Sequence, residues 1–275
     1  MTMIHSITSK DNPQYRYVRS LHDRKTAEIE GVVYVEGVRL CEEALLSGIN
    51  PLIILFSDEK ITLATDWCER FSIENDVRMY SMPSILFDRL GSTQHPQGVA
   101  MVIRSPLLKD VIPVRGDDLY MVCECVSDPG NLGSIIRSAD AFDFTAVVLC
   151  QGCVDPFNEK VLRASMGSCF HIPIVFYDSI EEICFQFKKM GVQLIASHLD
   201  GSLLTGMDFT PPSAVFIGNE ARGLSKECSD LCDFLIKIPM PGQAESLNAA
   251  AAASILGYEL SCSKNKGNPS APTMV

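Results

Sequence analysis

The sequence predicts an α/β protein of two domains, in which the larger, C-terminal domain is built on a parallel sheet. Strand-like apolar runs alternate with helical patterns along the 275-residue chain. In the C-terminal half most runs are continuously apolar, as expected where helices cover both faces of a parallel sheet. A stretch of mixed charge with two prolines and a glycine separates the halves. We predict domains at 1–103 and 119–262, a linker at 104–118 and a disordered tail at 263–275.

The N-terminal domain is predicted to be the smaller one and to mix strands with helices. Its apolar runs are VVYVEG at 32–37, PLIILFS at 51–57 and GVAMVI at 98–103. The segment EGVRLCEEALLSG at 36–48 has the period of an amphipathic helix that closes at Gly48. We expect SLHDRKTAEIEG, just before the first run, to form a helix or a loop.

Six apolar runs in the C-terminal domain are predicted to be strands. They are LYMVCECV (119–126), TAVVLC (145–150), HIPIVF (171–176), VQLIAS (192–197), SAVFIG (213–218) and DFLIKIP (233–239). A final alanine-rich helix is predicted at 246–260, with Ser246 as its N-cap. Ligands of parallel sheets bind at the carboxyl ends of the strands, which points to the loops at 127–133, 218–224 and 239–247.

The charge of the chain is acidic overall but has one basic stretch near the N-terminus. A formal net charge of −11 argues against a nucleic-acid partner, because phosphate binding usually depends on Lys and Arg. The basic stretch could nevertheless contact phosphates, and aromatic side chains within it could stack on unpaired bases. The alternative is a solvated, charged helix. The cations are Lys10, Arg16, Arg19, Arg24 and Lys25, and the aromatic side chains are Tyr15, Tyr17 and His22.

The eleven cysteines are interpreted as free thiols. Their number is odd and they are scattered, and several lie inside apolar runs, where cysteine behaves as a small hydrophobic residue. Cys150-x-x-Cys153 and Cys228-x-x-x-Cys232 could form a zinc site on paper, but we predict no metal. The chain has neither a long apolar span nor the apolar core of a signal peptide, so we expect a cytoplasmic protein without membrane contact.

The three loops at the strand ends carry ordered motifs. They are Asn131-x-Gly133-x-x-x-Arg137, then Gly218-Asn219-Glu220-x-x-Gly223-Leu224, then Ile238-Pro239-Met240-x-Gly242 with Ser246-Leu247-Asn248. Together they resemble the SpoU (TrmH-like) family of ribose methyltransferases, within the SPOUT superfamily. ITSKDNPQYRYVRSL, VYVEGVRLCEEAL and STQHPQGVAMVI resemble the small substrate-binding domain of many members, so the similarity covers about residues 4–260.

This resemblance implies a function and a fold. The function is the transfer of a methyl group from S-adenosylmethionine to a ribose 2′-hydroxyl of RNA, with ribosomal RNA favoured over transfer RNA by analogy. The fold is a C-terminal domain whose last helix passes through a preceding loop as a trefoil knot, although general topology rules predict no threading. Members are typically homodimers that complete the active site across the interface.

The resemblance also assigns roles to residues. Arg137 positions the phosphate and the hydroxyl, with a part in proton transfer left open, since arginine stays protonated in proteins. The alternative for Arg137 is a helix arginine held in a salt bridge. Asn131 orients the substrate or Arg137, or caps a helix, and Glu220 contacts RNA or the cofactor's surroundings, or pairs with Arg222. The catalytic candidates are Arg137, Asn131, Glu220, Ser246 and Asn248. The cofactor candidates are Ser197, His198, Gly218, Asn219, Glu220, Ile238, Met240, Ser246 and Leu247.

Two alternatives remain open at this point. One is a non-catalytic RNA-binding or ribosome-assembly factor that keeps the fold, which the acidic charge favours. The other is a nicotinamide-dependent enzyme, although no Gly-x-Gly-x-x-Gly follows any predicted strand. The chain also departs from the family pattern, because Asp143 stands where glycine is usual and Asp23, Glu28 and Glu30 dilute the basic stretch.

Overall fold

The computed structural model describes residues 4–74, 76–91, 93, 95–106, 108–109, 111–204 and 209–265. The chain divides into two compact units, residues 1–107 and 108–275. No helix within the described ranges combines the length and the apolar character needed to span a membrane.

The first unit is a five-stranded mixed sheet with helices. Its strands are β1 (Ile4–Ser6), β2 (Val32–Glu36), β3 (Pro51–Ser57), β4 (Arg78–Met82) and β5 (Val99–Arg104), in the order β1-β4-β3-β5-β2. Its helices are α1 (Pro13–Ser20), α2 (Arg24–Glu30), α3 (Val38–Leu46), α4 (Thr62–Arg70) and α5 (Ser84–Leu90), with a 3₁₀ turn at Asp58–Lys60. β4 pairs in parallel with β1 and β3, whereas β5 is antiparallel to β2 and β3.

The second unit is a six-stranded sheet in which every pairing is parallel. Its strands are β6 (Leu119–Cys123), β7 (Ala146–Cys150), β8 (Ile174–Tyr177), β9 (Gln193–Leu203), β10 (Ser213–Ile217) and β11 (Phe234–Lys237), in the order β11-β9-β10-β6-β7-β8. Its helices are α6 (Pro129–Ala141), α7 (Glu159–Ser165), α8 (Ile180–Lys189), α9 (Lys226–Leu231) and α10 (Ala249–Asn265), with a 3₁₀ turn at Ser168–Phe170. Every residue of β6, β7 and β10 is buried, which explains their continuously apolar sequences.

Three predicted strands of the second unit differ from the structure by three residues or more at one end. The strand predicted at 119–126 ends already at Cys123. The strand predicted at 171–176 begins only at Ile174, because the preceding residues close a 3₁₀ turn. The strand predicted at 192–197 continues to Leu203. Its pairing with β11 makes a jump in register from Ala196 to Ser202, so that residues 197–201 are unpaired with β11 and form a bulge. Gly201 allows this jump, since a Cβ there would lie 2.6 Å from the backbone nitrogen of Ile236.

The final helix begins later and ends later than predicted. Asn248, not Ser246, takes the capping position, because its Oδ1 accepts hydrogen bonds from the backbone N–H groups of Ala250 at 2.9 Å and Ala251 at 3.2 Å. At the other end the helix runs three residues into the predicted tail. There Lys264 forms ion pairs with Asp117 and Asp143 at 3.3 and 3.1 Å. Residues 266–275 lie outside the described residues.

The predicted linker is partly built into the second unit. Lys109 forms an isolated parallel bridge with Val175 of β8. Ile112 is buried in the hydrophobic core between that sheet and α8. The Asp118 carboxylate accepts backbone hydrogen bonds from Arg115 at 2.8 Å and Gly116 at 3.0 Å, which folds the segment into a turn before β6.

Candidate active site

A cleft of about 420 Å³ opens at the bulge of β9 and at the carboxyl ends of β10 and β11, within the size range of small-ligand sites. Its lining includes every residue predicted to bind the cofactor. These are Ser197, His198, Gly218, Asn219, Glu220, Ile238, Met240, Ser246 and Leu247. The cleft is also lined by residues that were not predicted to bind the cofactor, among them Leu199, Asp200, Arg222 and Lys237. Their position at or just after the ends of strands was the available signal.

The loop after β10 closes tightly on itself. The backbone N–H of Asn219 donates to the Gly223 carbonyl at 3.0 Å, and the N–H of Gly223 donates back at 2.9 Å. Gly218 lies directly under this closure, since a Cβ there would be 2.2 Å from the Gly223 carbonyl carbon. Only glycine fits at this position, because the backbone itself is the obstacle.

Glu220, at the tip of that loop, accepts hydrogen bonds from the loop that begins α6. Its Oε1 atom accepts from the backbone N–H of Asp128 at 3.0 Å and from Nδ2 of Asn131 at 3.1 Å. Its Oε2 atom accepts from Nδ2 of Asn219 at 3.2 Å and from the N–H and hydroxyl of Ser127 at 3.4 and 3.3 Å. Partial burial acts to raise the pKa of Glu220, but these hydrogen bonds outweigh it and hold that pKa below the usual glutamate value.

These contacts correct two expectations. Among the described residues Glu220 forms no ion pair with Arg222, so the loop is stiffened by hydrogen bonds to the start of α6 instead. The N-cap of α6 is Asp128, whose Oδ1 accepts from the backbone N–H of Asn131 at 2.8 Å. The Asn131 side chain is therefore free of the capping role.

Asn131 instead connects the other two motifs. Its Nδ2 donates to Glu220, and its Oδ1 accepts from Nδ2 of Asn248 at 2.8 Å. One hydrogen-bonded chain thus joins the starts of α6 and α10 to the loop after β10. Residues separated by more than a hundred positions, such as Asn131 and Asn248, meet beside the cleft.

Arg137 stands apart from this chain. Arg137 lies two turns from the start of α6. It is exposed to solvent and does not line the cleft. No carboxylate of the described chain pairs with it, so the alternative of a salt-bridged helix arginine finds no partner there. It follows Gly133 by one helical turn, on the stripe of α6 that packs against α7.

The comparisons with known proteins agree with this geometry. The sequence model of the SpoU rRNA Methylase family matches residues 118–258, and that of an MRM3-like substrate binding domain matches residues 7–101. This chain belongs to the SpoU family.

Full-length relatives of this SpoU protein include two ribosomal RNA enzymes. The 23S rRNA (guanosine(2553)-2′-O)-methyltransferase of Bacillus subtilis is 33% identical over 256 residues, which cover 92% of this chain and 98% of the relative. The 23S rRNA (uridine(2479)-2′-O)-methyltransferase of Streptomyces viridochromogenes is 32% identical over 260 residues, covering 92% and 90%.

Solved structures agree with the sequence relatives. The SpoU methyltransferase AviRb from Streptomyces viridochromogenes, in complex with AdoMet, has a TM-score of 0.81 at 30% identity, covering 93% of this chain and all of that one. These similarities confirm the predicted family, its parallel α/β fold and its class as a methyltransferase. They leave no place for the nicotinamide-dependent alternative.

Glu124, which sequence reasoning missed, supports the loop that follows β10. Its side chain is buried, and its two carboxylate oxygens accept from the hydroxyl and the backbone N–H of Ser225 at 2.6 and 2.7 Å. Ser225 caps α9 just after the cleft loop, so Glu124 anchors the far end of that loop. A glutamate inside the apolar run LYMVCECV was the signal, because a buried charge needs dedicated partners.

The five predicted RNA-binding cations are all exposed in the SpoU protein's first unit. They are Lys10, Arg16, Arg19, Arg24 and Lys25. Arg24 forms an ion pair with Glu28 at 2.6 Å, and Arg19 donates to the Arg89 carbonyl at 3.3 Å. The expectation that Tyr15 stacks on bases is wrong, since its ring is buried and its hydroxyl donates to the Leu86 carbonyl.

The cysteine pairs that suggested zinc do not form a metal group. Within the described part of the chain, no three His, Cys, Asp or Glu side chains are placed to hold an ion. Cys153 directs its thiol to the Cys123 carbonyl at 3.2 Å. Contact with the Cys232 thiol and burial raise the pKa of Cys228, which keeps it protonated.

Proposed function

We propose that this protein transfers a methyl group from S-adenosylmethionine to a ribose 2′-hydroxyl of ribosomal RNA. The observation that carries the proposal is the hydrogen-bonded chain Glu220–Asn131–Asn248, which gathers the three family motifs beside a cofactor-sized cleft. A binding protein without chemistry has no need for these groups to meet at one edge of the sheet.

The cleft fits an adenosine-containing cofactor. Ile238, Met240 and Leu247 form its apolar side and would enclose the adenine, whose edge the adjacent backbone groups would read. Gly218 lets the ligand approach the loop backbone closely. S-adenosylmethionine, when bound, supplies a methyl group on a positively charged sulfur.

The protein must align the substrate hydroxyl with that methyl group and assist removal of its proton. Arg137 has a permanently charged guanidinium that pairs with no carboxylate of the described residues, which suits it to hold an RNA phosphate and the hydroxyl together. Asn131 and Asn248 hold the start of α6 in place, and Ser246 presents a hydroxyl to the cleft. Glu220 has its acceptor positions occupied, so we assign it the role of fixing the loop rather than of a base.

Arg137 and the cleft would meet in a homodimer. Within one copy Arg137 does not line the cleft, which supports a two-fold pairing that brings Arg137 of one copy to the cleft of the other. Ile255 and Tyr258 of α10 are 38% and 46% exposed, and α10 packs on α6, the helix that carries Arg137. These apolar side chains would form part of the interface.

The trefoil knot belongs to the same proposal. It is supported by the return of the chain after β11 to the centre of the unit, where Asn248 bonds to Asn131 and α10 packs against α6, β6 and β10. In such a knot the last helix, α10, would pass through a preceding loop. Threading of the chain would restrict the movement of the loops that line the cleft.

The RNA is proposed to be ribosomal, and the compartment the cytoplasm. Both curated relatives act on 23S rRNA but on different nucleotides, a guanosine and a uridine, so the ribose is the chemical group common to them. The first unit, which matches a substrate-binding domain, would contribute the exposed cations of the basic stretch. Salt-dependent RNA binding is expected from such phosphate contacts.

Calorimetric titration with S-adenosylmethionine tests the cofactor site. The wild type is expected to bind, and Leu247→Arg to lose binding, because a long charged side chain would occupy the apolar side of the cleft. Leu203→Arg is the matched control, since Leu203 is 57% exposed on β9 and does not line the cleft. It should bind like the wild type. No binding by the wild type, with or without RNA, would favour the non-catalytic RNA-binding factor instead.

Transfer of labelled methyl groups to undermodified ribosomal RNA tests the reaction. After alkaline hydrolysis the label should remain in dinucleotides. The phosphodiester bond next to a 2′-O-methylated ribose is not cleaved, because the 2′-hydroxyl that would attack it is methylated. Labelling of transfer RNA but not ribosomal RNA would change the proposed substrate to transfer RNA. The proposed reaction, methylation of a ribose 2′-hydroxyl, would still hold.

A further inference from the structure

The bulge in β9 places a carboxylate in the cleft that none of the family motifs includes. Between Ala196 and Ser202 the ladder with β11 is interrupted, and residues 197–201 project from the sheet. The bulge has a defined shape, because the backbone N–H of Asp200 donates to Nδ1 of His198 at 3.2 Å and Gly201 packs on the β11 backbone. Asp200 therefore lines the cleft from a braced segment.

The order of the strands indicates which part of a ligand lies over this bulge. β11, β9, β10 and β6 are successive neighbours, and four adjacent strands span about 14 Å. The apolar residues Ile238 and Met240 follow β11, whereas Glu220 follows β10 and Asn131 follows β6. If the adenine lies over β11 and the reacting end over β10 and β6, the group over β9 is the ribose that joins them.

Asp200 has the chemistry to bind that ribose. Within the described ranges no N–H or O–H group donates to its carboxylate and no Lys or Arg pairs with it, and the residue is exposed to the cleft. Glu220, the other carboxylate of the lining, already accepts from Ser127, Asp128, Asn131 and Asn219. A vicinal diol offers two O–H donors, and a carboxylate offers two acceptor oxygens at matching spacing.

We infer that Asp200 binds the two ribose hydroxyls of the cofactor and so selects an intact ribonucleoside. The inference rests on the proposed function, since it requires an adenosine-containing ligand in this cleft. It adds a specificity residue that lies outside the three motifs.

Calorimetry on the full chain tests the inference without an activity assay. The two ligands are S-adenosylhomocysteine, which lacks the sulfonium charge, and its analogue lacking both ribose hydroxyls. The proteins are the wild type, Asp200→Asn and the control Glu245→Gln. Glu245 lies on the loop after β11, is exposed and does not line the cleft, so its substitution makes the same change of charge nearby.

The wild type is expected to bind S-adenosylhomocysteine about ten- to a hundredfold more tightly than the analogue. The analogue lacks the hydroxyls and therefore cannot form charge-assisted hydrogen bonds with the Asp200 carboxylate. Asp200→Asn should lose most of this preference by weakening only the hydroxyl-bearing ligand, and Glu245→Gln should keep it. Equal affinity of the wild type for both ligands would overturn the inference even if the variant failed to fold. An unchanged preference in a folded Asp200→Asn variant would do the same, leaving the proposed function standing. A wild type that binds neither ligand would remove the proposed function itself.

Discussion

Glu220 accepts hydrogen bonds from four residues, whereas Asp200, in the same cleft, accepts none from the described chain. A carboxylate surrounded by N–H groups is a structural anchor, because its ionised form is stabilised by the fold. A carboxylate without donors is available to a ligand. The sequence shows two acidic residues near strand ends, and only the hydrogen-bond partners separate their roles.

The lowered pKa of Glu220 predicts a pH-dependent contribution to stability. A carboxyl group whose folded-state pKa is depressed stabilises the fold above the ordinary glutamate pKa of about 4.5, and this contribution is lost as the pH falls through the lowered value. Glu220→Gln should therefore be less stable than wild type at pH 7, and the difference should shrink below pH about 4.5. Urea unfolding followed by circular dichroism at several pH values measures it.

The control for this measurement is Glu227→Gln, at an exposed position of α9. It should follow the wild-type curve at each pH. A stability difference for Glu220→Gln that stays constant from pH 7 to pH 3 would contradict the role of the ionised carboxylate.

Arg137 gives a prediction that separates binding from chemistry. Since it does not line the cleft, Arg137→Ala should keep the wild-type affinity for S-adenosylmethionine while kcat falls by about a hundredfold or more. Arg137→Lys retains a charge without the planar fork and should lie between the two. Calorimetry measures the affinity for S-adenosylmethionine, and the rate of methyl incorporation into RNA gives kcat. A large loss of cofactor affinity in Arg137→Ala would show that the arginine acts in the cleft instead.

At the scale of elements, Gly133 sets the contact of α6 with α7. A Cβ at this position would lie 2.5 Å from the Ala164 side chain and 2.6 Å from the Val161 carbonyl oxygen. The two helices can approach this closely only because the motif has glycine here. The same contact positions the stripe of α6 that carries Arg137.

Gly133→Ala is expected to destabilise the protein by about 1–3 kcal/mol, the usual cost of forcing extra volume into a packed contact. The midpoint of urea unfolding should fall accordingly. Ser134→Ala, at the next position of the same helix, adds no volume and serves as the control. If both variants unfold at the wild-type midpoint, the helices are able to separate and the close packing is not required.

Elements were predictable where burial alone decides them. The buried strands of the second unit are continuously apolar, so the sequence marks them without reference to neighbours. β1 and β4 of the first unit were missed, because they are short or carry polar residues such as Arg78 and Ser81 within the strand. The β9 bulge was missed because it depends on how two strands pair, which local composition does not encode.

At the scale of the whole molecule, the separation of Arg137 from the cleft predicts that two inactive variants complement each other. Arg137→Ala keeps an intact cleft, and Leu247→Arg keeps an intact arginine. If each site combines the cleft of one copy with Arg137 of the other, a mixed dimer has one complete site of its two. Random exchange between equal amounts should restore about a quarter of wild-type activity.

Methyl transfer by the mixture after subunit exchange, compared with each variant alone, measures this complementation. Each variant alone should have about a hundredth of the wild-type activity or less. A mixture that stays inactive although mixed dimers form would place both functions within one copy and contradict the shared site.

The family, the parallel α/β fold and the loops of the candidate site could be predicted from the sequence alone. These features are visible in the sequence because buried strands require continuous runs of apolar residues. In addition, close approach of two backbone segments requires glycine at fixed positions, as at Gly218. The folded structure was needed to show that Asp128 caps α6, that Asn131 instead joins Glu220 to Asn248, and that Arg137 does not line the cleft. Hydrogen bonds between residues about a hundred positions apart depend on where the strands place their ends, and that placement is a property of the folded chain.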